Sequence, residues 1–435
     1  MRKGNPTIIT APNGAGKTHI LMLLQASLSL ELRILLASPF AEFRVKFDDG
    51  RVLVVSREVS EVGEAKLSMA VEVDDQVIGT PFIVSTADLE DSKSRLPSWI
   101  RKIGPDRWID SRNQRIYGRA FLERRYRITL SEVATAQWEH SREVLELCSP
   151  PSPVFIDTKR LDVAGLESNE GEFGSGRTHE GAASRIHEYM DQLRAEVTEA
   201  RRSSIQATQS ADLSFAARAL AAAKMTVKEL DLHRRYDATV LRYETLARNS
   251  LAVGEAPMDF PAKTTPTDRR ILSVFLDDWD KRLEPLLPLN EKIQTLREIL
   301  DSKLAPSGKR TAMSARGDLE FRSASGSRIR VSSLSSGEQH LVALFTMLLF
   351  SANAGSLVLI DEPEISFHAA WKHAFLDDIS RVAAISNLQV VLATHSSAIV
   401  NGRWDLTEEL SYNLDSDASE LSVLSASDDG EEFDE

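Results

Sequence analysis

The sequence predicts an α/β fold: a mixed sheet flanked by helices, with an antiparallel β subdomain, interrupted by a helical insertion. Three observations predict it. A short apolar strand at residues 5–10 feeds a Gly-rich loop and then a helical pattern from Thr18 to about Leu30. Helix and strand patterns alternate again from about residue 306 to 410, as they do where helices cover a sheet. Between these halves, Ser184–Leu251 and Asp268–Leu304 carry helical patterns joined by the Pro-containing linker Gly254–Pro266. That stretch reads as a helical hairpin or short coiled coil, without sustained heptads.

The remaining elements follow in order. Arg33–Val59 and Lys66–Val84 alternate apolar with polar residues around an Asp49–Gly50 turn, which predicts antiparallel strands and a hairpin. Residues 85–147 read as helical, and Pro153–Asp157 as a short buried strand. Gly165–Gly181 is rich in Gly, Glu, Ser and Thr and reads as a loop. Strands return around Asp318–Val331. The expected units are residues 1–160 and 306–410 as two parts of one head, 161–305 as the helical insertion, and 411–435 as a tail. The tail carries nine acidic residues and no Lys or Arg, a composition that predicts disorder.

Composition narrows the class. Of 435 residues, 42% are hydrophobic and 27% charged, ordinary values for a globular protein. The lone Cys148 cannot form an internal disulfide and predicts a reducing cytoplasm. The N-terminal residues enter a strand at once, so no signal peptide is expected. The apolar run Leu341–Phe350 is too short to span a bilayer. The net charge of −13 falls to about −4 when the tail is set aside, so acidity neither supports nor excludes nucleic acid as a partner.

Four motifs carry chemistry. Ala11-Pro12-Asn13-Gly14-Ala15-Gly16-Lys17-Thr18, with His19 next, has the strand–loop–helix context of a P-loop. Its glycines let backbone N–H groups turn toward phosphate oxygens at a helix N-terminus. Lys17 is expected to reach the β- and γ-phosphates of ATP, and Thr18 to ligate Mg²⁺. The run Leu357–Pro363 places Asp361 at a strand end to support the metal, and Glu362 beside it to polarise the attacking water. Ser335-Ser336-Gly337-Glu338 opens a helix expected to start near His340. That loop is a second anion cradle, and equally the sequence of a helix cap. His395 follows the strand Gln389–Ala393, where a sensor of the γ-phosphate would stand.

In this order the four motifs resemble those of the ABC ATPases, over residues 1–60 and 306–410. The resemblance implies that Ser335 and Gly337 cap ATP held by Lys17 of a second copy, in a head-to-tail dimer or a larger oligomer. Glu364–His368 takes the D-loop place, with His368 where transporters usually carry Asp. Lys17 and Ser335 are 318 residues apart, farther than in transporter subunits. LSSGEQHLVALFTMLLF, LVLIDEPEISFHAAWK and VVLATHSSAIVNGRWDL look like the small ATPases of bacterial anti-phage operons. Septu-type subunits are the nearest resemblance, with PARIS-type, retron-associated and overcoming-lysogenization-defect-like ATPases beside them. This implies a regulatory ATPase that holds a separately encoded nuclease, of HNH or Toprim type, in check. The last group carries its own Toprim domain, whereas only about forty residues follow His395 here. Two other functions stay open: a DNA-repair or chromosome-type ATPase acting on DNA, and a nucleotide-gated scaffold with little hydrolysis.

Two departures from the family pattern are visible. No aromatic residue precedes the first strand to stack on adenine. Lys159 stands where a Q-loop Gln is expected, which would alter metal coordination. Between Lys93 and Arg127, eleven basic residues interleave with Trp99, Trp108, Tyr117, Phe121 and Tyr126. This reads as a helical lobe with an aromatic core, or as a surface for protein or nucleic acid.

Overall fold

The computed structural model describes residues 6–12, 14–60, 63–86, 100–104, 107–110, 115–118, 141–148, 153–157, 178–222, 226–252, 254, 256 and 259–410. The Lys159 position, Asn13 and the acidic tail 411–435 lie outside them.

The first strand, β1 (Thr7–Thr10), leads through the Gly-rich loop into α1 (Lys17–Leu28). A short helix, α2 (Leu32–Ala37), comes next, where strand had been expected from Arg33. Leu35 and Leu36 are both buried there, and adjacent buried residues do not suit a half-exposed strand. The antiparallel sheet follows: β2 (Glu42–Lys46), β3 (Val52–Val59), β4 (Ala65–Val73) and β5 (Gln76–Ser85), in that spatial order. Gly50, at φ 86°, makes the first turn of this meander, as the Asp-Gly pair predicts.

Residues 100–118 correct the expectation of helix across 85–147. They form β6 (Ile100–Gly104), β7 (Arg107–Asp110) and β8 (Arg115–Gly118), an antiparallel three-stranded sheet. Trp108 pairs with Tyr117 across the ladder, and such aromatic pairs favour a pleated surface. Strands of four or five residues are too short for their period of two to stand out. The next described helix is α3 (Arg142–Leu147). The rest of the basic and aromatic stretch lies outside the described residues.

Strand β9 (Val154–Asp157) enters the main sheet. The insertion then begins with α4 (Thr178–Ala221), 44 residues, about 66 Å long at 1.5 Å per residue. Its first turn replaces the end of the loop expected to run to Gly181. The expected long arm is divided: α4 ends at Ala221, and α5 (Glu229–Arg248) turns back. Its buried Leu232, Thr239 and Leu246 recur every seven residues, a stripe that is buried only by lying along a neighbouring helix. That neighbour is α6 (Pro266–Leu283), which also packs on α4. Arg218 of α4 grips Asp278 of α6 with bonds of 2.5 and 2.8 Å. The arm is therefore three helices, not a two-helix hairpin.

A turn at Glu284–Leu286 separates α6 from α7 (Leu287–Leu304). Helix α7 packs on the head: its Ile293, Leu296 and Leu300 share one core with Ile8, Ile156 and Leu344. Residues 287–304 therefore pack with the head core, although 161–305 was expected to be separate. The chain continues with β10 (Lys309–Met313), β11 (Leu319–Ser323) and β12 (Arg328–Ile329), an antiparallel sheet. Helix α8 (Ser336–Phe350) is apolar on every side and buried from Leu341 to Phe350, as a central helix must be.

The chain closes with β13 (Leu357–Asp361), α9 (Ala369–Ser386), β14 (Gln389–Thr394), α10 (Ser397–Val400) and β15 (Thr407–Glu409). The main sheet has the order β15-β1-β14-β13-β9, and every described pair in it is parallel. Among the described residues antiparallel pairing is confined to the three separate sheets. One sheet face packs Ile8, Ile360 and Leu392 on the α7–α9 side. The other packs Leu359, Val391 and Ala393 against Leu21 and Leu24 of α1. Among the described residues no helix is long and apolar enough to cross a membrane.

Candidate functional site

Parallel register brings the motifs to one edge. Thr10 pairs with Thr394, and Asp361 pairs with both Ala393 and Asp157. The carboxyl ends of β1, β14, β13 and β9 therefore lie level, where open α/β sheets take ligands.

The loop above β1 is built for an anion. Gly14 and Gly16 have φ of 83° and 84°, and an added Cβ would meet nothing within 4 Å at either. The left-handed backbone, not crowding, demands glycine there. Gly16 is the N-cap of α1 and offers no side-chain acceptor to the first turn, so those N–H groups point at the loop. Lys17 is only 5% exposed, and its Nζ donates to Ala11 O at 2.9 Å and Pro12 O at 3.1 Å. Two backbone carbonyls thus hold the amine at the mouth of the loop. The ring of His19 instead lies 3.2 Å from Pro39 O.

Asp361, 2% exposed, accepts a 2.7 Å hydrogen bond on Oδ2 from the exposed Thr18 hydroxyl. Glu362 follows at φ 44°, ψ 59°, its N–H donating to Ala393 O at 2.9 Å. A left-handed glutamate costs about 1 kcal/mol, and such strain collects where a side chain must be aimed. His395, just past β14, is 43% exposed, with Nδ1 3.3 Å from Glu364 Oε1 and 3.8 Å from Glu362 Oε1. Thus Lys17, Thr18, Asp361, Glu362 and His395 share one edge, as their motifs imply.

ATP and Mg²⁺ fit these residues. The described residues hold no group of three or more His, Cys, Asp or Glu placed for a metal. A site of one hydroxyl and one carboxylate, completed by phosphate oxygens and water, is how Mg²⁺ is usually held.

The Ser335–Glu338 segment is a helix cap first. Ser335 is the N-cap of α8, which begins at Ser336 and not near His340. Its Oγ accepts from Glu338 N at 3.3 Å, and its N–H donates to Glu338 Oε2 at 2.8 Å, a complete capping box. Glu338 is 4% exposed and also binds Lys309 Nζ at 2.7 Å and Ser307 Oγ at 3.0 Å. Burial pushes its carboxyl up, but Lys309, the Ser335 N–H and Ser307 together outweigh burial and hold it below the usual range. Ser336 and Gly337 fill the first turn between these anchors.

Sequence reasoning missed Lys309, Ser307 and Glu364. Each acts through a partner distant in the chain, and Glu364 lay in plain view inside the D-loop segment. His368 caps α9, accepting from Ala370 N at 3.3 Å on Nδ1, the capping work an Asp would do there. Trp404, 60% exposed, lines a cleft with Ala11, Pro12 and His395.

The family model described as "AAA domain, putative AbiEii toxin, Type IV TA system" matches residues 325–401. That span holds the capping box, β13, Glu362 and His395 but not the P-loop. No curated protein matches the chain. The chain is similar to the solved SMC head bound to the C-winged helix domain of ScpA, at 13% identity and TM-score 0.32, covering 91% of this chain and 83% of that one. It is also similar to the SMC head domain from Thermotoga maritima, at 10% identity and TM-score 0.29, covering 94% and 86%.

Proposed function

We propose that the chain binds ATP with Mg²⁺ and hydrolyses it to ADP and phosphate. The observation that carries this reading is the 2.7 Å bond from Thr18 to Asp361. It joins the P-loop helix to the end of an apolar strand 343 residues away, the pairing on which phosphate-bound Mg²⁺ is held.

Lys17 and the N–H groups of Gly14–Thr18 hold the phosphates. Thr18 and Asp361 hold Mg²⁺, which when bound supplies positive charge to the phosphate oxygens. Glu362 orients water for in-line attack and takes its proton. His395 faces the γ-phosphate from the neighbouring strand end. The Ser335–Gly337 turn is the cap that one copy offers to ATP on a second copy, so the working unit is a head-to-tail dimer or a larger assembly.

The cellular role we infer is that of a cytoplasmic regulatory subunit in an anti-phage complex, controlling a separately encoded nuclease of HNH or Toprim type. Its support is the match of residues 325–401 to a model described with a toxin–antitoxin system, together with the motif resemblance. An affinity pull-down of Glu362→Gln protein expressed with its neighbouring genes, with ATP and after apyrase, tests it. A stoichiometric nuclease, held or released according to nucleotide, is the expected result. Recovery of DNA alone, lost as salt rises, overturns the regulatory role in favour of direct action on DNA.

A further inference from the structure

Glu364 is a carboxylate sealed beneath the end of β14. It lies in the 3₁₀ turn Pro363–Ser366 and is 4% exposed. Its Oε1 accepts the Thr394 hydroxyl at 2.6 Å and the His395 backbone N–H at 3.3 Å. The same oxygen lies 3.3 Å from His395 Nδ1, closer than Glu362 Oε1 at 3.8 Å. Among the described residues, the His395 imidazole is the one ionisable donor within 4 Å of Glu364.

A carboxylate is an expensive way to satisfy a threonine hydroxyl in a buried place, where a neutral amide would do. Its use is warranted where the partner is an imidazole. An oxygen that already accepts the Thr394 hydroxyl and the His395 N–H is an acceptor toward the ring as well, so a ring nitrogen bonded to it carries a proton. Carboxylates that orient histidines in metal sites and hydrolases act in this way.

We propose that Glu364 is the positioning residue for His395. It keeps the ring proton on Nδ1, sets the ring through an oxygen held in place by the Thr394 hydroxyl and the His395 N–H, and leaves Nε2 for the phosphate edge. There Nε2 offers a lone pair to water or, once protonated, a donor to a phosphate oxygen. This rests on the reading of His395 as the residue that faces the γ-phosphate.

The test begins without nucleotide. Full-length protein labelled with ¹⁵N in histidine is compared with His395→Gln to assign the ring, and long-range ¹H–¹⁵N correlations report its tautomer. Wild type is expected to show the Nδ1–H form, and Glu364→Leu, which leaves Nδ1 without this acceptor, to lose it. With ATP, Glu364→Leu is expected to lower kcat about 10- to 100-fold while the affinity for a fluorescent ATP analogue stays within about twofold. Thr394→Val removes a competing donor and leaves the carboxylate, so it should keep the Nδ1–H form. That variant and wild type decide the matter if Glu364→Leu does not fold. An Nε2–H ring in wild type, or an unchanged ring in Glu364→Leu, overturns the proposal. Absence of turnover in wild type would count against the ATPase reading alone, because the ring is measured without ATP.

Discussion

Lys309 Nζ contacts both carboxylate oxygens of Glu338, at 2.8 and 2.7 Å, and so ties strand β10 to the capping box of α8. The loop proposed to cap a second copy's nucleotide is thereby anchored on the sheet that follows directly from α7. Helix α7 in turn leads back through a short turn to the three-helix arm.

Replacing Lys309 by Met leaves a buried carboxylate without its cation. We expect a loss of about 2 kcal/mol in urea unfolding at neutral pH, the scale of a hydrogen bond to a charged group. The pH dependence has a definite sign. The folded carboxyl of Glu338 is held below its unfolded value, so its stabilisation is present above the unfolded range near pH 4.3. It is lost as pH falls through the folded value. The gap between wild type and Lys309→Met should therefore narrow on acidification.

Glu362 pays for its aim in backbone strain. Glu362→Gly relieves a left-handed φ of 44° and should raise stability by about 1 kcal/mol while abolishing turnover. Thermal melts and phosphate release on the same preparation check both halves.

Much of the site was legible because a P-loop and a strand-end Asp are local grammar: strand, turn glycines, helix. Gly14, Gly16, Lys17 and Asp361 could be placed from their neighbours alone. Glu364 could not, because its meaning depends on the register that sets Asp361 beside Ala393, and so brings the residue 30 positions from Thr394 beneath it. Residues 100–118 were misread for another reason. Their strands are so short that basic and apolar residues fit either period, and the pairing of Trp108 with Tyr117 decides between them. No proline announces the end of α4 at Ala221, and the Leu232–Leu246 stripe of α5 takes its meaning only from packing on α6.

Cys148 is 7% exposed, with Sγ donating to Ser27 O at 3.4 Å. Burial pushes its thiol up to about 12, so little thiolate exists at pH 8. A thiol reagent at that pH should leave the native protein unmodified and react in urea. Modification of native protein at the rate seen in urea would contradict the buried position.

Trp404 borders the same cleft as Ala11, Pro12 and His395. Binding of ATP at the P-loop should change its emission, and Trp404→Phe should remove that change without altering affinity more than about twofold. Loss of binding in Trp404→Phe would instead make the indole part of the nucleotide contact.

The P-loop assignment is checked by Lys17→Ala, which should abolish ATP binding in equilibrium titration. Wild-type affinity in that variant would remove Lys17 from the site.

The most direct measurement of the central claim is steady-state phosphate release from ATP and Mg²⁺ by wild type and Glu362→Gln, with binding of a fluorescent ATP analogue followed in parallel. The account predicts Mg²⁺-dependent turnover by wild type, and a Glu362→Gln protein that binds with unchanged affinity and does not turn over. Equal turnover by the two proteins, or no ATP binding by either, would contradict it.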